Sequence, residues 1–166
     1  RRCYAARVSQ SRPPTSVTAI VLAAGQGKRM KSKLPKVLHH LCGRPMIDWV
    51  VEAALEAGAA DALVVVGHER DAVEEHLAVR FGSRVRVAIQ QEQRGTGDAV
   101  RSALPHVRAD AHEALLLYGD TPLVRPSDLG RLLRLRAAEG APLALLTCNV
   151  GDPTGYGRVL REAEGT

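Results

Sequence analysis

The chain has 166 residues, 45% hydrophobic and 25% charged, which is enough for one α/β domain with a substantial core. Aromatic residues make up only 3%, so that core is built from Leu, Val and Ala, and there is no interleaved aromatic run on which nucleobases of a strand could stack. The net charge of +5 does not mark a nucleic-acid-binding face: Arg1, Arg2, Arg7 and Arg12 lie in residues 1–16, which hold no acid, and only +1 is left for the other 150 residues.

Residues 1–16 contain Ser9, Ser11, Pro13 and Pro14 and no apolar periodicity. They read as a flexible basic extension, without the apolar stretch of a secretory leader. No apolar run along the chain approaches a membrane span, so no membrane partner is expected. Cys3, Cys42 and Cys148 form no C-x-x-C pair and fit reduced thiols in a cytoplasmic protein.

From residue 17 the pattern alternates between short apolar runs and helical periodicities. Residues 17–22 read as a buried strand, followed by a basic, glycine-containing loop to Pro35. Met46, Ile47, Val50, Val51, Ala54 and Leu55 recur at helical spacing after Pro45, and Gly58 ends that helix. A second strand is expected over 62–66, a helix over 71–79, a third strand over 85–89 and a helix over 98–104. A fourth strand over 114–117 runs into Tyr118-Gly119-Asp120. A helix capped by Ser127 or Asp128 runs to Ala138 and closes at Gly140. Residues 143–147 read as a fifth strand, and a turn at 152 leads into another. Strands alternating with helices imply a Rossmann-like α/β domain with a mostly parallel sheet covered on both faces. Ligands of such folds bind beyond the carboxyl ends of the strands, at a topological switch point.

The loop after the first strand carries the strongest signal. Gly25 and Gly27 flank Gln26, and small residues let backbone N–H groups approach an anion. Lys28, Arg29, Lys31, Lys33 and Lys36 then place five cations in nine residues, and all four lysines of the chain are among them. That charge suits a triphosphate, although Lys31 and Lys33 read as solvated. Neither common phosphate motif fits: Leu22 and Arg29 break a Walker A loop, and Met30 replaces the third glycine of a dinucleotide fingerprint. Asp120 at a strand end suits Mg²⁺, a hard cation that takes one or two protein oxygens; a turn-capping aspartate is the plainer alternative. Gln90 alone reads as a surface residue, although its amide carries both donor and acceptor and matches the imide edge of uracil. The six histidines show no metal spacing, and the adjacent His39 and His40 read as structural.

The string Leu22-Ala23-Ala24-Gly25-Gln26-Gly27-Lys28-Arg29-Met30, continued by Pro35-Lys36-Val37-Leu38-His39, resembles the L-A-A-G-x-G-T-R-M-x-S-x-x-P-K signature of sugar nucleotidyltransferases. With the segments 90–99, 118–123 and 152–158, it looks like the amino-terminal domain of the bacterial bifunctional N-acetylglucosamine-1-phosphate uridyltransferases/glucosamine-1-phosphate acetyltransferases. The match runs over residues 18–162 and departs at Lys28, where the family usually has Thr.

The resemblance implies transfer of a uridylyl group from UTP to N-acetylglucosamine 1-phosphate, giving UDP-N-acetylglucosamine and pyrophosphate for cell-envelope precursor synthesis. It implies Arg29 and Lys36 as catalytic phosphate contacts, with Leu22, Ala23, Ala24 and Gly25 around the nucleotide. Gln90, Gly95 and Thr96 would read uracil, Tyr118, Gly119 and Gly157 would lie near the sugar, and Asp120 would hold Mg²⁺. Family members complete the sugar site with later residues and trimerise through a carboxy-terminal acetyltransferase domain. Residues 17–166 are therefore expected to be a carboxy-terminally incomplete nucleotidyltransferase domain. Another sugar-1-phosphate nucleotidyltransferase, or a nucleotide-binding fragment without full activity, remain the alternatives.

Overall fold

A computed structural model describes residues 16–25, 27, 30–67, 70–152 and 154–160 of the chain. Four strands, β1 (Ser16–Leu22), β4 (Asp61–Val66), β5 (Val85–Ile89) and β6 (Ala111–Tyr118), form one parallel sheet in the order β5-β4-β1-β6. Between β1 and β4 lie a two-stranded hairpin, β2 (His40–Leu41) with β3 (Arg44–Pro45), and the helix α1 (Met46–Glu56). The helices α2 (Asp71–Phe81), α3 (Thr96–Ala103) and α4 (Pro126–Glu139) follow β4, β5 and β6.

Side chains alternate across the strands and split the core into two layers. On one face, Val17, Ala19 and Val21 of β1, Ala62, Val64 and Val66 of β4, and Leu115 and Leu117 of β6 pack with Ile47, Val50 and Val51 of α1, Val73 and Leu77 of α2 and Leu129 of α4. On the other, Ile20, Leu63, Val65 and Ala88 pack with Ala99 and Ala103 of α3. Because β1 and β4 are covered on both faces, they read in sequence as unbroken apolar runs. On β6 only one face is covered, so Leu115 and Leu117 are buried while Leu116 and Tyr118 are exposed.

The chain builds β1, β4 and β5 outward in one direction and then returns, through α3 on the opposite face, to place β6 on the far side of β1. The switch point therefore lies between β1 and β6. Residues Ile20, Val21 and Leu22 pair with Leu116, Leu117 and Tyr118, which brings the loops after Leu22 and Tyr118 side by side.

The elements differ from the sequence reading in several places. Ser16 already belongs to β1, paired with Ala111, so the first strand starts one residue before the expected 17–22, while residues 1–15 of the expected extension lie outside the described residues. The fourth expected strand starts at Ala111 because Ser16 and Val17 of β1 supply its first partners. The helix α4 starts at Pro126, with Arg125 rather than Ser127 or Asp128 in the capping position and no side-chain cap. A proline at the first helical position is preset in φ and lacks the N–H a cap would satisfy. The helix α3 begins at Thr96, two residues early, because Gly95 at φ 102° breaks the extended chain there.

The hairpin is an addition. Its loop residues Cys42 and Gly43 lie at φ 51° and 86°, as tight two-residue loops require. The expected fifth strand over 143–147 does not form: Leu143, Leu145 and Leu146 are exposed beside β6 and α4 and join no ladder. An apolar run becomes a strand only when a neighbouring edge supplies its backbone partners. The expected strand after residue 152 is also absent through residue 160, and residues 161–166 lie outside the described residues.

Candidate active site

The carboxyl ends of β1, β5 and β6 enclose a cleft of about 690 Å³. Leu22, Ala23, Ala24, Gly25, Gly27 and Met30 line it from the first loop, and Lys36 and Val37 from the turn that follows. Gln90, Gln93, Gly95, Thr96 and Ala99 line it from the β5–α3 connection, and Tyr118 and Asp120 from the end of β6. The topology thus draws together residues nearly a hundred positions apart in sequence.

Backbone bonds fix the floor. Ala23 N donates to Val65 O at 2.8 Å, and Gly119 N donates to Leu22 O at 2.9 Å. A Cβ on Gly119 would come within 3.1 Å of Val37 Cγ1 and 3.2 Å of both Ile47 Cδ1 and Leu22 O. Gly119 is therefore buried in the seam between β1 and β6 and does not line the cleft; its close approach sets where Tyr118 and Asp120 emerge. Gln93 donates through Nε2 to Ala24 O at 2.6 Å, tying the first loop to the β5–α3 connection.

Lys36 belongs to a short 3₁₀ turn, Lys36–Leu38, anchored by the buried side chains of Val37 and Leu38. Across the turn sits Gly27, at φ 56°, where a Cβ would lie 3.0 Å from Lys36 Cβ. Both the positive φ and this approach exclude a larger residue at 27. Lys36 Nζ reaches Asp120 Oδ2 at 2.5 Å, with the two side chains 29% and 37% exposed. The only carboxylate lining the cleft is thus already facing a cation among the described residues. Lys31 and Lys33 are exposed and do not line it, in keeping with solvated charge.

Gln90 corrects the reading of a surface residue, being only 3% exposed. Its Nε2 donates to Asp98 Oδ2 at 2.9 Å and Gly95 O at 3.3 Å. The amide therefore does not offer the cleft both donor and acceptor: its hydrogens are committed within the protein.

Arg29, with its neighbour Lys28, lies outside the described residues. Gly157 is exposed and does not line the cleft; it follows an Asx turn in which Thr154 N donates to Asp152 Oδ1 at 3.0 Å. Gln93, Met30, Val37 and Ala99 are lining residues that the sequence reading passed over. Gln93 could have been noticed as an amide within the loop already singled out, but its bond to Ala24 needs the fold.

Among the described residues no three His, Cys, Asp or Glu side chains cluster as a metal cage, and no helix is long and apolar enough to cross a membrane. Asp120 alone fits a different kind of cation site. A single carboxylate open to the cleft, beside room for a phosphate, matches the way Mg²⁺ keeps most of its shell from water and substrate oxygens.

Known proteins resemble this chain in sequence and in fold. The bifunctional protein GlmU of Sorangium cellulosum is 59% identical over 156 residues, which are 92% of this chain and 33% of that protein, so the chain spans about a third of its relative's length. The crystal structure of Rv0371c from Mycobacterium tuberculosis superposes with a TM-score of 0.62 at 29% identity, covering 77% of this chain and 63% of that one. Its complex with manganese gives a TM-score of 0.60 at 25% identity, covering 75% and 61%. UDP-glucose pyrophosphorylase complexed with UDP-glucose shares the fold, with a TM-score of 0.64 at 20% identity over 76% of this chain and 55% of that one. The family model for the MobA-like NTP transferase domain matches residues 19–164, nearly the whole of the sheet and cleft described above. The chain belongs to the MobA-like NTP transferase domain family.

Proposed function

We propose that this cleft transfers a uridylyl group from UTP to N-acetylglucosamine 1-phosphate, releasing pyrophosphate and forming UDP-N-acetylglucosamine. The observation that carries the reading is the convergence in one cleft of the residues 22–25, Lys36, Gln90, Gly95, Thr96 and Asp120, in a chain 59% identical to a GlmU protein.

The chemistry follows from these residues. The sugar phosphate is already ionised, so its oxygen can attack the α-phosphorus in line without a general base, and among the described residues the one carboxylate lining the cleft, Asp120, is paired with Lys36. Catalysis then rests on positioning and on neutralising charge that builds on the phosphate oxygens. The turn at Lys36 points its ammonium at the cleft, where it would leave Asp120 for a phosphate oxygen. Arg29 is assigned the same duty by its place in the loop motif. Open backbone at Gly25, where an added Cβ would meet nothing within 4 Å among the described residues beyond its chain neighbours, leaves room for phosphate close to the main chain. Gln90, Gly95 and Thr96 would face the base. Gly157 is assigned to the sugar from its motif alone.

Asp120 would hold Mg²⁺, which when bound shields the triphosphate oxygens and makes the α-phosphorus a better electrophile. The manganese complex of Rv0371c supports a divalent cation in this fold. The partners proposed are these two small molecules, neither nucleic acid nor membrane.

The test is pyrophosphate release from UTP and N-acetylglucosamine 1-phosphate with Mg²⁺, on this chain and on a longer one, with Asp120→Ala in both. Loss of release in the variant is expected. Wild-type-like turnover by Asp120→Ala would remove the metal role, and UTP binding without release would mark the chain as a binding module.

A further inference from the structure

Asp98 has no place in the chemistry above, yet it holds the residue assigned to the base. Gln90 ends β5, is 3% exposed and lines the cleft. Its Nε2 faces two groups, the Asp98 carboxylate at 2.9 Å and the Gly95 carbonyl at 3.3 Å. Both are acceptors only, so the amide nitrogen and not the oxygen must sit between them. Each acceptor is itself fixed. The Gly95 carbonyl receives Ala99 N–H at 3.1 Å in the first turn of α3. Asp98 lies in that same first turn, where a negative charge is favoured.

With both Nε2 hydrogens committed, Oε1 is the polar atom left to Gln90, and no described residue donates to it. We infer that Asp98 is a positioning residue that sets base specificity: it locks the Gln90 amide with its oxygen toward the cleft. The site then accepts a base whose ring nitrogen carries hydrogen, such as N3–H of uracil, and rejects one with a bare ring nitrogen, such as cytosine. This rests on the uridine reading proposed above and supplies its missing polarity, because an unanchored amide can turn over and serve either base.

Cytosine in this site faces a double penalty. Its N3 meets Oε1, acceptor against acceptor, or the amide flips and brings Oε1 against the Asp98 carboxylate. Either way a buried hydrogen bond is lost, which corresponds to a preference for UTP over CTP on the order of 30-fold. Replacing Asp98 by Asn removes the bias, since an Asn amide can donate to Oε1 as readily as accept from Nε2. The Gly95 carbonyl, at the longer distance, is then the remaining anchor.

The experiment is calorimetric binding of UTP and CTP, with Mg²⁺, to this chain, to Asp98→Asn and to Asp98→Ala, with thermal unfolding of each. The expected result is a UTP preference in the wild type that shrinks to about threefold or less in Asp98→Asn, with CTP binding tighter than to the wild type. Damage to the fold weakens both nucleotides and cannot produce the gain for CTP. Asp98→Ala, which removes the acceptor without adding a donor, gives the same convergence and decides the matter if the Asn variant does not fold. Variants that keep the wild-type UTP:CTP ratio overturn the role of Asp98 while leaving uridylyl transfer standing. Equal binding of UTP and CTP by the wild type also overturns it. A wild type that binds no UTP overturns the uridine reading, and this inference with it.

Discussion

Replacing Gly119 by Ala perturbs the cleft from a residue that does not itself line it. The added Cβ meets Val37 Cγ1 at 3.1 Å and Ile47 Cδ1 and Leu22 O at 3.2 Å. Favourable carbon contacts lie at about 3.5–4.0 Å, so each neighbour must give by a few tenths of an ångström. None can do so freely. Val37 and Ile47 are 5% and 0% exposed, and the Leu22 oxygen is backbone that accepts the Gly119 N–H at 2.9 Å. The strain therefore falls on the seam between β1 and β6, and overpacking of this kind costs about 2 kcal/mol. For a domain of this size that lowers the unfolding temperature by about 4–8 °C. In urea, with a slope of about 2 kcal/mol/M, the midpoint falls by about 1 M. Because Asp120 follows directly, UTP–Mg²⁺ affinity should fall as well, measured by calorimetry well below the unfolding temperature. A variant within about 0.5 kcal/mol of the wild type, with unaltered affinity, would refute the claim that this close approach fixes the strand end.

Lys36→Ala should weaken UTP binding on the order of 30-fold, as expected for a lost charge-assisted contact, and flatten its salt dependence. Its urea midpoint should barely move, since a pair as exposed as Lys36–Asp120 contributes little to folding. His76→Ala strands the Asp48 carboxylate, 2% exposed, which now bonds His76 Nε2 at 2.5 Å and would keep only Arg80 at 3.7 Å. A loss of about 3 kcal/mol in urea denaturation is expected, partly recovered in the double variant His76→Ala/Asp48→Ala, which leaves no buried charge. The Asp152 carboxyl is held below its ordinary value of 3.8 by the Thr154 N–H that it accepts. The turn it stabilises is complete above that ordinary value and is lost as pH falls through the lowered one. A carboxyl carbon NMR titration with its midpoint at or above 3.8 would contradict the turn.

What the sequence made legible follows physical range. The buried strands, the helix after Pro45 and the loop signature are written in contiguous residues, and an apolar run such as residues 62–66 or a glycine at a helix end needs no tertiary partner to be read. The alternation of strands and helices also implied a switch point at the carboxyl ends of the strands, and the structure puts it where Leu22 meets Tyr118. Residues 143–147 failed for the opposite reason. Their apolar character is local, but strand formation requires backbone pairing with an edge, and here they lie exposed beside β6 without pairing to it. Gln90 illustrates a third case. Its presence in the cleft was inferred from resemblance, yet the direction of its amide depends on Asp98 and the carbonyl of Gly95, and no spacing rule encodes which atom of an amide turns inward. Gln93 was missed because its partner is a backbone oxygen in another loop.

The place of β1 has a consequence for precision. Its last residue, Leu22, gives its oxygen to Gly119, while Ala23, the next residue, gives its N–H to Val65. The loop after β1 and the turn that carries Asp120 are thus referenced to the same strand end, as two machined parts are referenced to one datum. A displacement of β1 carries both together and leaves their spacing intact, whereas a displacement of the α3 side moves the Gln90–Thr96 wall of the cleft against a fixed floor. Core substitutions in β1 should therefore cost stability well before they cost geometry, and tolerance to drift should be least where the cleft is spanned by a single side chain, at Gln93.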